Sequence, residues 1–500
     1  MILEFLPITA LAAGKINSLL DSINSWVSQV LKVANDAIFF SIGGMPLIII
    51  LLLFAGVFFT LQMKFVNVRA FKHAIDVVRG KYDDFKEEGE VSHFQALAIA
   101  LSATVGIGNV ASAAVAIALG GPGACFWLTV GGLLGMSTKF VECTLGHKYR
   151  IVKPDGTIVG GPMYYLSAGL AEVGQKSLGK ILAAIYSLMG IFGILVAVAI
   201  LQSNQSLAAV TAIVPSLADY NWIYGAIVAG LVGLVIIGGL QRLARVAGVI
   251  APLMCGIYIL ASLWVLAIHF TAIPEAIATI FKSAFSFHAV GGGFAGALIQ
   301  GLRRSAFSNE AGTGTAAIAH AVARTDEPVR EGIVTILEPF IDTVIICNLT
   351  ALVVIVTGAY NNPEFADFSG TQLASAAFGE AISWFPYLLA VVIFFFAFST
   401  IISQYYYGHV CWSYLLGDRS EIVFQVLFLG CILLGSVASS QAVIEFGDAF
   451  FLVSVLPNLL GIFFLSNQVA VDLEDYLHRL HIGRLKFSSS RIFASSERKN

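Results

Sequence analysis

Residues 96–121 read ALAIALSATVGIGNVASAAVAIALGG, and the rest of the chain is organised around them. The stretch is apolar and long enough to cross a bilayer, which takes about 20 residues. Its middle nevertheless holds Gly106, Gly108 and Asn109 beside two hydroxyl side chains. Because glycine lets the backbone leave helical geometry and lipid offers the freed groups no partner, the cluster predicts a broken helix that binds a polar solute or an ion. The alternative is that the glycines only permit close helix packing.

Composition places the chain among α-helical membrane proteins. Of its 500 residues, 58% are hydrophobic and 12% are charged, whereas soluble domains carry about 25% charged residues. The formal net charge is -3, and no run of Lys or Arg indicates nucleic acid as a partner. The six cysteines are scattered without metal-ligand spacing, so free thiols are expected. The sequence therefore predicts an all-α polytopic membrane protein surrounded by membrane lipid.

Hydrophobic runs predict about eleven transmembrane helices, preceded by a one-sided interfacial helix at residues 15–36. The predicted spans are 45–61, 96–121, 123–146, 181–213, 222–240, 246–268, 289–323, 331–356, 384–416, 422–437 and 442–465. In the third span, Gly131 and Gly135 have the spacing of a tight packing face. Near its end Lys139 and Glu142, three residues apart, predict an ion pair with each other at the membrane interface.

The distribution of Lys and Arg predicts the orientation of these spans. Of the 28 basic residues, only Lys15, Lys32 and Lys282 fall on the side opposite to all the others when the spans alternate. The sequence therefore predicts an outside N-terminus and a cytoplasmic C-terminus in a plasma (inner) membrane.

A second interrupted stretch lies in the seventh predicted span. Its centre, residues 301–315, reads GLRRSAFSNEAGTGT and mixes glycines, hydroxyls and charges. Ser308 or Asn309 can cap a new helix that carries Glu310 in its first turn. Because the two arginines are unfavourable in lipid, a plain cytoplasmic loop is the alternative.

The two interrupted spans occupy matching places in two halves of opposite orientation. The second span opens a five-helix repeat at 92–270, and the seventh opens an inverted five-helix repeat at 271–466. Matched broken helices in inverted halves are a sequence sign of a secondary transporter. The remaining predicted parts are an N-terminal segment, 1–44, an extra span with its cytoplasmic loop, 45–91, and a basic cytoplasmic tail, 467–500.

Residues 104–165 and 301–320 resemble the alanine or glycine:cation symporter family of sodium-coupled amino-acid transporters. The matching runs are GIGNVASAAVAIALGGPGACFWLTV, STKFVECTLGHKYR, GGPMYYL and FSNEAGTGTAAIAHA. The resemblance implies a 5+5 inverted repeat of the leucine-transporter type with one extra N-terminal span. It also implies Na⁺-driven uptake of a small neutral amino acid, without an organic cofactor. Where the family usually shows Gly-Trp this chain has Ser403-Gln404, so a larger polar substrate such as glutamine or serine is an alternative to alanine or glycine.

The chemistry of the two solutes selects candidate site residues. Na⁺ is a hard cation that prefers oxygen ligands, and its candidates are Thr104, Val105, Ser399 and Thr400. Hydroxyls that bond to a carbonyl one turn earlier are the alternative for the last two. A substrate carboxylate suits the exposed N–H groups where a half-helix begins. The substrate-binding candidates are Thr104, Gly106, Gly108, Asn109, Gln202, Phe307, Asn309 and Gln404.

Some assignments stay open between function and structure. The amide of Gln202 serves equally well to bond one helix to another. Asp342, an acid inside a span, can bind Na⁺, carry a proton, or bond Asn348 or a backbone group. Glu310 is a second carboxylate or a helix cap. Proton coupling is the alternative to Na⁺ coupling, whereas an intramembrane enzyme or a channel is not expected, because no His-Glu-x-x-His motif occurs and opposed halves suit alternating access.

Overall fold

The structure is a computed structural model that describes residues 40–42, 45–84, 86–211, 213–286, 293–365, 368, 370–381, 384–437 and 453–485. The predicted interfacial helix at 15–36 lies outside the described residues. So do residues 442–452 of the last predicted span and residues 486–500 of the predicted tail.

The described part of the first half is helical apart from two short antiparallel hairpins. The hairpins are β1 (Ser41–Ile42) with β2 (Met45–Pro46), and β3 (Ile151–Val152) with β4 (Ile158–Val159). The helices are α1 (Leu47–Gln62), α2 (Val66–Arg69), α3 (Phe71–Val78), α4 (His93–Thr104), α5 (Ile107–Gly120), α6 (Ala124–Lys148), α7 (162–172), α8 (Lys176–Thr211), α9 (Asn221–Ile236) and α10 (Gly239–Ile268). Short 3₁₀ helices occupy Pro215–Tyr220 and Phe270–Ala272.

The second half continues with eight further helices in the described residues. They are α11 (Ile273–Ala284), α12 (Gly293–Asn309), α13 (Ala316–His320), α14 (Pro328–Val356), α15 (Thr371–Ala381), α16 (Phe385–Leu416), α17 (Glu421–Val437) and α18 (Val455–His481). Short 3₁₀ helices lie at Ala359–Asn361, Pro363–Phe365 and Asp418–Ser420. Wider π-helical turns interrupt α7 at Tyr165–Gly169, α8 at Ile194–Ile200 and α14 at Phe340–Cys347.

Each predicted span has a helical counterpart, but not every one is of membrane length. Within the described residues, seven helices are long and apolar enough to cross a membrane, and the bent pair α4–α5 makes eight. Helices α1 and α9 are apolar but have only 16 residues each. Helix α12, the counterpart of the seventh predicted span, has 17 residues and is not apolar enough to count as a span. The count of eleven spans therefore stays a prediction. The structure also adds helices between the predicted spans, namely α2, α3, α7, α11 and α15. Helix α18 runs on through the predicted boundary between residues 466 and 467.

The first interrupted stretch is a broken helix. Helix α4 begins with a capping box in which Ser92 and Gln95 exchange side-chain to backbone bonds, and it ends at Thr104. Helix α5 starts after two intervening residues, at an angle of 51° to α4. The predicted break is therefore present, at Val105 and Gly106.

Glycines bring α6 and α12 into close contact, which positions the second interrupted stretch. A Cβ atom on Gly131 would lie 2.6 Å from the Ser305 hydroxyl, and one on Gly301 would lie 2.5 Å from the backbone oxygen of Ala124. A Cβ atom on Gly135 would lie 3.1 Å from the Asn309 amide nitrogen. Small residues permit such backbone approach, so the predicted packing face of α6 receives α12.

A buried ion pair ties α6 to α14. The Lys139 ammonium lies 2.9 Å from the Glu338 carboxylate, and both side chains are 0% exposed. The predicted pair of Lys139 with Glu142 is wrong, because the Glu142 carboxylate instead accepts a hydrogen bond of 2.7 Å from the Asn458 amide on α18. The two carboxylates and the lysine are buried inside the helix bundle rather than at an interface.

Candidate substrate and ion site

At the end of α4, the backbone carbonyl of Ser102 accepts hydrogen bonds from two hydroxyl side chains of α16. In an unbroken helix the Ser102 carbonyl would accept from the N–H four residues later, but the helix has ended there. It accepts instead from the Thr400 hydroxyl at 3.1 Å and, more weakly, from the Ser399 hydroxyl at 3.5 Å. A Cβ atom on Gly106 would lie 2.9 Å from Thr400 Oγ1, so glycine permits this approach. The result is a cluster of neutral oxygens at the break.

The start of α5 offers donors. The first four backbone N–H groups of a helix have no acceptor one full helical turn earlier. The backbone N–H of Asn109, which is one of them, donates a hydrogen bond of 3.2 Å to the Gly106 carbonyl. The Asn109 side chain is 1% exposed, and its amide nitrogen has no hydrogen-bond partner among the described residues. A Cβ atom on Gly108 would find nothing within 4 Å. Gly108 is exposed, so the buried Asn109 donor lies next to an accessible position of the chain. A buried donor of this kind can be satisfied by a bound anion.

The second interrupted stretch is also unwound. Helix α12 ends at Asn309, and Glu310, Gly312 and Gly314 all have positive φ angles (53°, 96° and 77°) before α13 begins. The Thr313 hydroxyl donates to the Glu310 carbonyl at 2.6 Å and holds this turn. Residues 310–320 are moreover buried inside the bundle, which favours the break over an exposed loop.

The predicted helix cap at this break is wrong. Ser308 and Asn309 are the last residues of α12 rather than the first of a new helix, and the Asn309 side-chain oxygen accepts from the backbone N–H of Ala311 at 2.9 Å. Glu310 is accordingly not in the first turn of a helix. It lies in the unwound turn, and its side chain is 7% exposed.

Gln404 of α16 holds the Glu310 carboxylate. Its amide nitrogen donates to Glu310 at 3.1 Å, and the Thr315 hydroxyl donates to the other carboxylate oxygen at 2.7 Å. A cavity of about 30 Å³, lined by Gln404, Thr315 and Tyr407 among others, adjoins this contact. The side chain at the position that departs from the family pattern thus touches the second break directly.

Two shared neighbours bring the breaks together. Thr400 at the first break and Gln404 at the second are four residues apart on α16, which is about one turn or ~6 Å along the helix. On the other side, the Cys347 thiol lies 3.6 Å from the Asn109 carbonyl and 3.2 Å from the Ser308 hydroxyl. The two unwound segments therefore lie side by side within the bundle.

Asp342 belongs to the second break. Its carboxylate accepts from the Ser308 hydroxyl at 2.8 Å, and its other oxygen is buried without a hydrogen-bond partner among the described residues. Within the described residues, Asp342 forms no hydrogen bond with Asn348, because the Asn348 amide nitrogen donates to the carbonyls of Thr343 and Val344 instead. Asp342 lies in the π-helical turn of α14, a feature frequent at functional sites.

The remaining candidates are less directly engaged. The Thr104 hydroxyl bonds back to the Ala100 carbonyl at 3.1 Å, and the Ser399 hydroxyl also bonds back to Phe396 at 3.0 Å. The Gln202 amide oxygen is buried on α8 without a hydrogen-bond partner among the described residues. The Phe307 ring lies 6.0 Å from the Arg304 guanidinium. Ser399 nevertheless reaches the first break through its bond to the Ser102 carbonyl.

Sequence reasoning did not select Ser102, Cys347 or Thr315 as site residues. Ser102 lay in the cluster that predicted the break, and its own hydroxyl is buried without a hydrogen-bond partner among the described residues. Thr315 lay in the second interrupted stretch. Nothing in the pattern around Cys347 could have indicated its place between the breaks, because its contacts lie 39 and 238 residues away.

Comparison with known proteins identifies the family. Residues 24–489 match the model of the sodium:alanine symporter family. The chain is 37% identical over 428 residues to the sodium/alanine symporter AgcS of Methanococcus maripaludis, covering 85% of this chain and 93% of that protein. It is 34% identical over 461 residues to the probable sodium/glutamine symporter GlnT of Bacillus subtilis, covering 92% of each.

A solved structure resembles the fold. The crystal structure of MhsT in complex with L-phenylalanine matches with a TM-score of 0.51 at 13% identity, covering 75% of this chain and 88% of that one. At this identity the likeness concerns the fold alone. It confirms the predicted fold class, an all-α membrane protein of the leucine-transporter type.

Proposed function

The chain belongs to the sodium:alanine symporter family, a family of transporters rather than enzymes, and from this premise we propose that it is a Na⁺-coupled symporter of a small neutral amino acid. The observation that carries the proposal is the meeting of two unwound segments beside one turn of α16, at Thr400 and Gln404. Their free backbone groups need polar partners that lipid cannot supply. A cation and a zwitterion together can supply them.

Na⁺ fits the oxygen cluster at the first break. Its proposed ligands are the Ser102 and Val105 carbonyls and the hydroxyls of Ser399 and Thr400. Ser102 already has both hydroxyls directed at it, and Val105 leaves helical geometry with ψ 97°. Neutral oxygens bind a monovalent cation reversibly, because they gain less from it than carboxylates would. That reversibility is what a transport cycle requires.

The amino-acid backbone fits between the breaks. Its carboxylate would accept from the N–H groups at the start of α5, around Gly108 and Asn109, where the helix dipole is positive. Its ammonium group would donate to carbonyls of the unwound turn near Glu310. The unpartnered amide nitrogen of Asn109 supports this placement, since a buried donor without an acceptor is costly.

The substrate side chain would meet Gln404 and Glu310. Both groups are polar and buried, and a hydroxyl or an amide on the substrate could join their hydrogen bonds. An apolar side chain would leave them without such a bond. We therefore favour a polar neutral amino acid such as serine or glutamine over alanine or glycine.

An exit route would follow α16 beyond the site. A cavity of about 350 Å³ lies between the β3–β4 hairpin and the end of α16, with Tyr405 and Tyr406 among its lining residues. The Lys153 ammonium on the hairpin pairs with Asp418 at 2.8 Å beside this cavity. With the predicted orientation, outside N-terminus and cytoplasmic C-terminus, the cavity faces the cytoplasm and would release the solutes there.

Reconstitution tests the proposal. Purified protein in proteoliposomes should take up labelled serine, glutamine, alanine or glycine when Na⁺ is outside, and uptake should collapse when choline replaces Na⁺. Uptake that persists in choline and follows an imposed pH gradient would establish proton coupling instead, with Asp342 as the first carboxylate to substitute. Absence of uptake for all neutral amino acids would refute the substrate class.

Matched threonine variants test the ion site. Thr400→Val removes a hydroxyl from the break, whereas Thr211→Val removes one that bonds back to the Leu207 and Ala208 carbonyls of its own helix. The first variant should raise the Na⁺ concentration for half-maximal uptake at least tenfold, corresponding to about 1.4 kcal/mol of a lost oxygen ligand. The second should leave it unchanged. Equal Na⁺ dependence in the two variants would refute the assigned site.

A further inference from the structure

A groove lies between the end of α1 and the last turns of α18, on the side that the basic residues predict to be cytoplasmic. It has a volume of about 330 Å³. Buried or half-buried apolar side chains of Met63, Leu473 and Leu477 line it together with the exposed basic side chains of Arg69 and His478. The groove therefore combines apolar and basic surfaces at the level where a helix leaves the bilayer.

The turn that forms one wall of the groove is strained. Lys64 and Phe65 are consecutive non-glycine residues with positive φ angles, 51° and 58°, a conformation that costs each about 1 kcal/mol or more. The Phe65 N–H bonds back to the Thr60 carbonyl at 2.8 Å, and the Arg69 guanidinium donates to the Lys64 carbonyl at 3.3 Å. The turn thus holds Arg69 at the groove while the Phe65 ring stays 52% exposed beside it.

The charges of the groove are not balanced. Lys64 pairs with Glu474 across it. Arg69, His478 and His481 form no salt bridge in the part of the chain that the structure describes, although Arg69 lies near enough to Glu474 to interact with its charge. The single carboxylate of Glu474 thus faces two cations, Lys64 and Arg69, so the groove keeps one net positive charge that an anion can neutralise.

We propose that this groove binds the head group of an anionic phospholipid. The phosphodiester would lie against Arg69 and the two histidines, because guanidinium and phosphate form strong paired hydrogen bonds. The glycerol and the first acyl carbons would lie against Leu473 and Leu477. Basic pockets between transmembrane helices on the cytoplasmic side bind anionic lipid in this way. At ~30 Å³ per water molecule the groove has room for roughly ten waters, enough for one such head group.

The protein's own C-terminal residues do not fit the groove as well. Residues 486–500 carry Lys486, Arg491, Arg498 and Lys499 against the single acid Glu497. A segment with an excess of positive charge is repelled by a basic groove. Charge complementarity therefore favours the lipid as the occupant.

Melting temperatures in lipid-doped micelles test the proposal. The full chain is titrated with phosphatidylglycerol, with phosphatidylcholine or with inorganic phosphate, as wild type and as Arg69→Gln, Arg69→Lys and Arg79→Gln. Arg79 is an exposed arginine at the end of α3 that does not line the groove. Phosphatidylglycerol should raise the melting temperature of the wild type, and Arg69→Gln should weaken its apparent affinity about fivefold, the equivalent of ~1 kcal/mol per basic side chain near anionic lipid.

The other arms decide between occupants. Arg69→Lys should retain most of the effect and Arg79→Gln all of it. An equal response of Arg69→Gln and wild type, or an equal response to phosphatidylcholine, would overturn the proposal. A response to inorganic phosphate as large as that to the lipid would show a phosphate site instead. If deletion of residues 486–500 abolishes the rise in melting temperature with lipid while Arg69→Gln leaves it unchanged, the tail is the lipid-binding element.

Discussion

Removing Lys139 should destabilise the protein more than removing its ion-pair partner. Lys139 pairs with Glu338 at 2.9 Å with both side chains 0% exposed, and Glu142 and Glu310 also lie close enough to interact with its charge. Lys139→Met leaves three buried carboxylates without a cation. Glu338→Gln leaves the ammonium with two carboxylates still near it. The structure therefore predicts an asymmetry between the two variants that a simple pair would not show.

The size of the effect follows from the distance and the burial. Two unit charges 2.9 Å apart attract by ~6 kcal/mol at an effective dielectric constant of about 20, an upper limit because desolvation opposes it. Breaking one side of a buried pair costs about 3–5 kcal/mol in measured cases, which we expect for Lys139→Met. For 500 residues the unfolding entropy is about 1 kcal/mol/K. The melting temperature should then fall by about 3–5 °C, and by about half as much in Glu338→Gln.

Thermal unfolding of the detergent-solubilised variants measures both effects. The double variant Lys139→Met/Glu338→Gln closes a thermodynamic cycle and should melt no lower than Lys139→Met alone, because it removes one of the three uncompensated carboxylates. If Glu338→Gln lowers the melting temperature as much as Lys139→Met, the lysine serves only one carboxylate and the reasoning fails. It also fails if neither variant moves the transition by more than 1 °C.

Three further predictions concern the site and the cytoplasmic loop. Gly108→Ala should melt no lower than wild type, since a Cβ atom there meets nothing within 4 Å and alanine suits a helix better by about 0.5–1 kcal/mol. It should still lose uptake, because the methyl group would lie where we propose that the substrate carboxylate binds, whereas Gly230→Ala, equally open, should transport normally. Gln404→Leu removes the donor to Glu310 and should shift substrate preference, measured by competition for uptake, from polar towards apolar amino acids. Burial lowers the pKa of His73 from 6.5 to about 4, so protonating this side chain opposes folding. The protein should therefore lose stability, about 3 kcal/mol at most, as the pH falls from ~6.5 towards 4. In melting curves across that pH range, the stability of His73→Gln should depend less on pH than that of the wild type.

The first break was predictable because its signals are local. The length of the apolar run, Gly106 and the neighbouring polar side chains all fall within one stretch of sequence, and backbone geometry responds to nearest neighbours along the chain. The second break was also predicted, but a cytoplasmic loop remained as an alternative because its two arginines are unfavourable in lipid. The structure keeps both arginines in α12 and unwinds the chain only after Asn309.

The partners of polar side chains were not predictable in the same way. Lys139 and Glu142 have the spacing of a helical pair, yet Lys139 binds a carboxylate 199 residues away. Ser308 fits a helix cap, yet its hydroxyl bonds Asp342 on another helix. In each case the tertiary packing of helices, which sequence spacing does not encode, provides a stronger partner than the local one.

Helix α16 is continuous from Phe385 to Leu416, and it touches both unwound segments within a single turn. If α16 moves as a rigid body, a change in its distance to the first unwound segment also changes its distance to the second. Occupancy at the cation position and at the amino-acid position should therefore be thermodynamically linked: whatever factor Na⁺ contributes to amino-acid affinity, the amino acid must return to the affinity for Na⁺. Equilibrium titrations of each solute at fixed levels of the other should yield one and the same coupling factor.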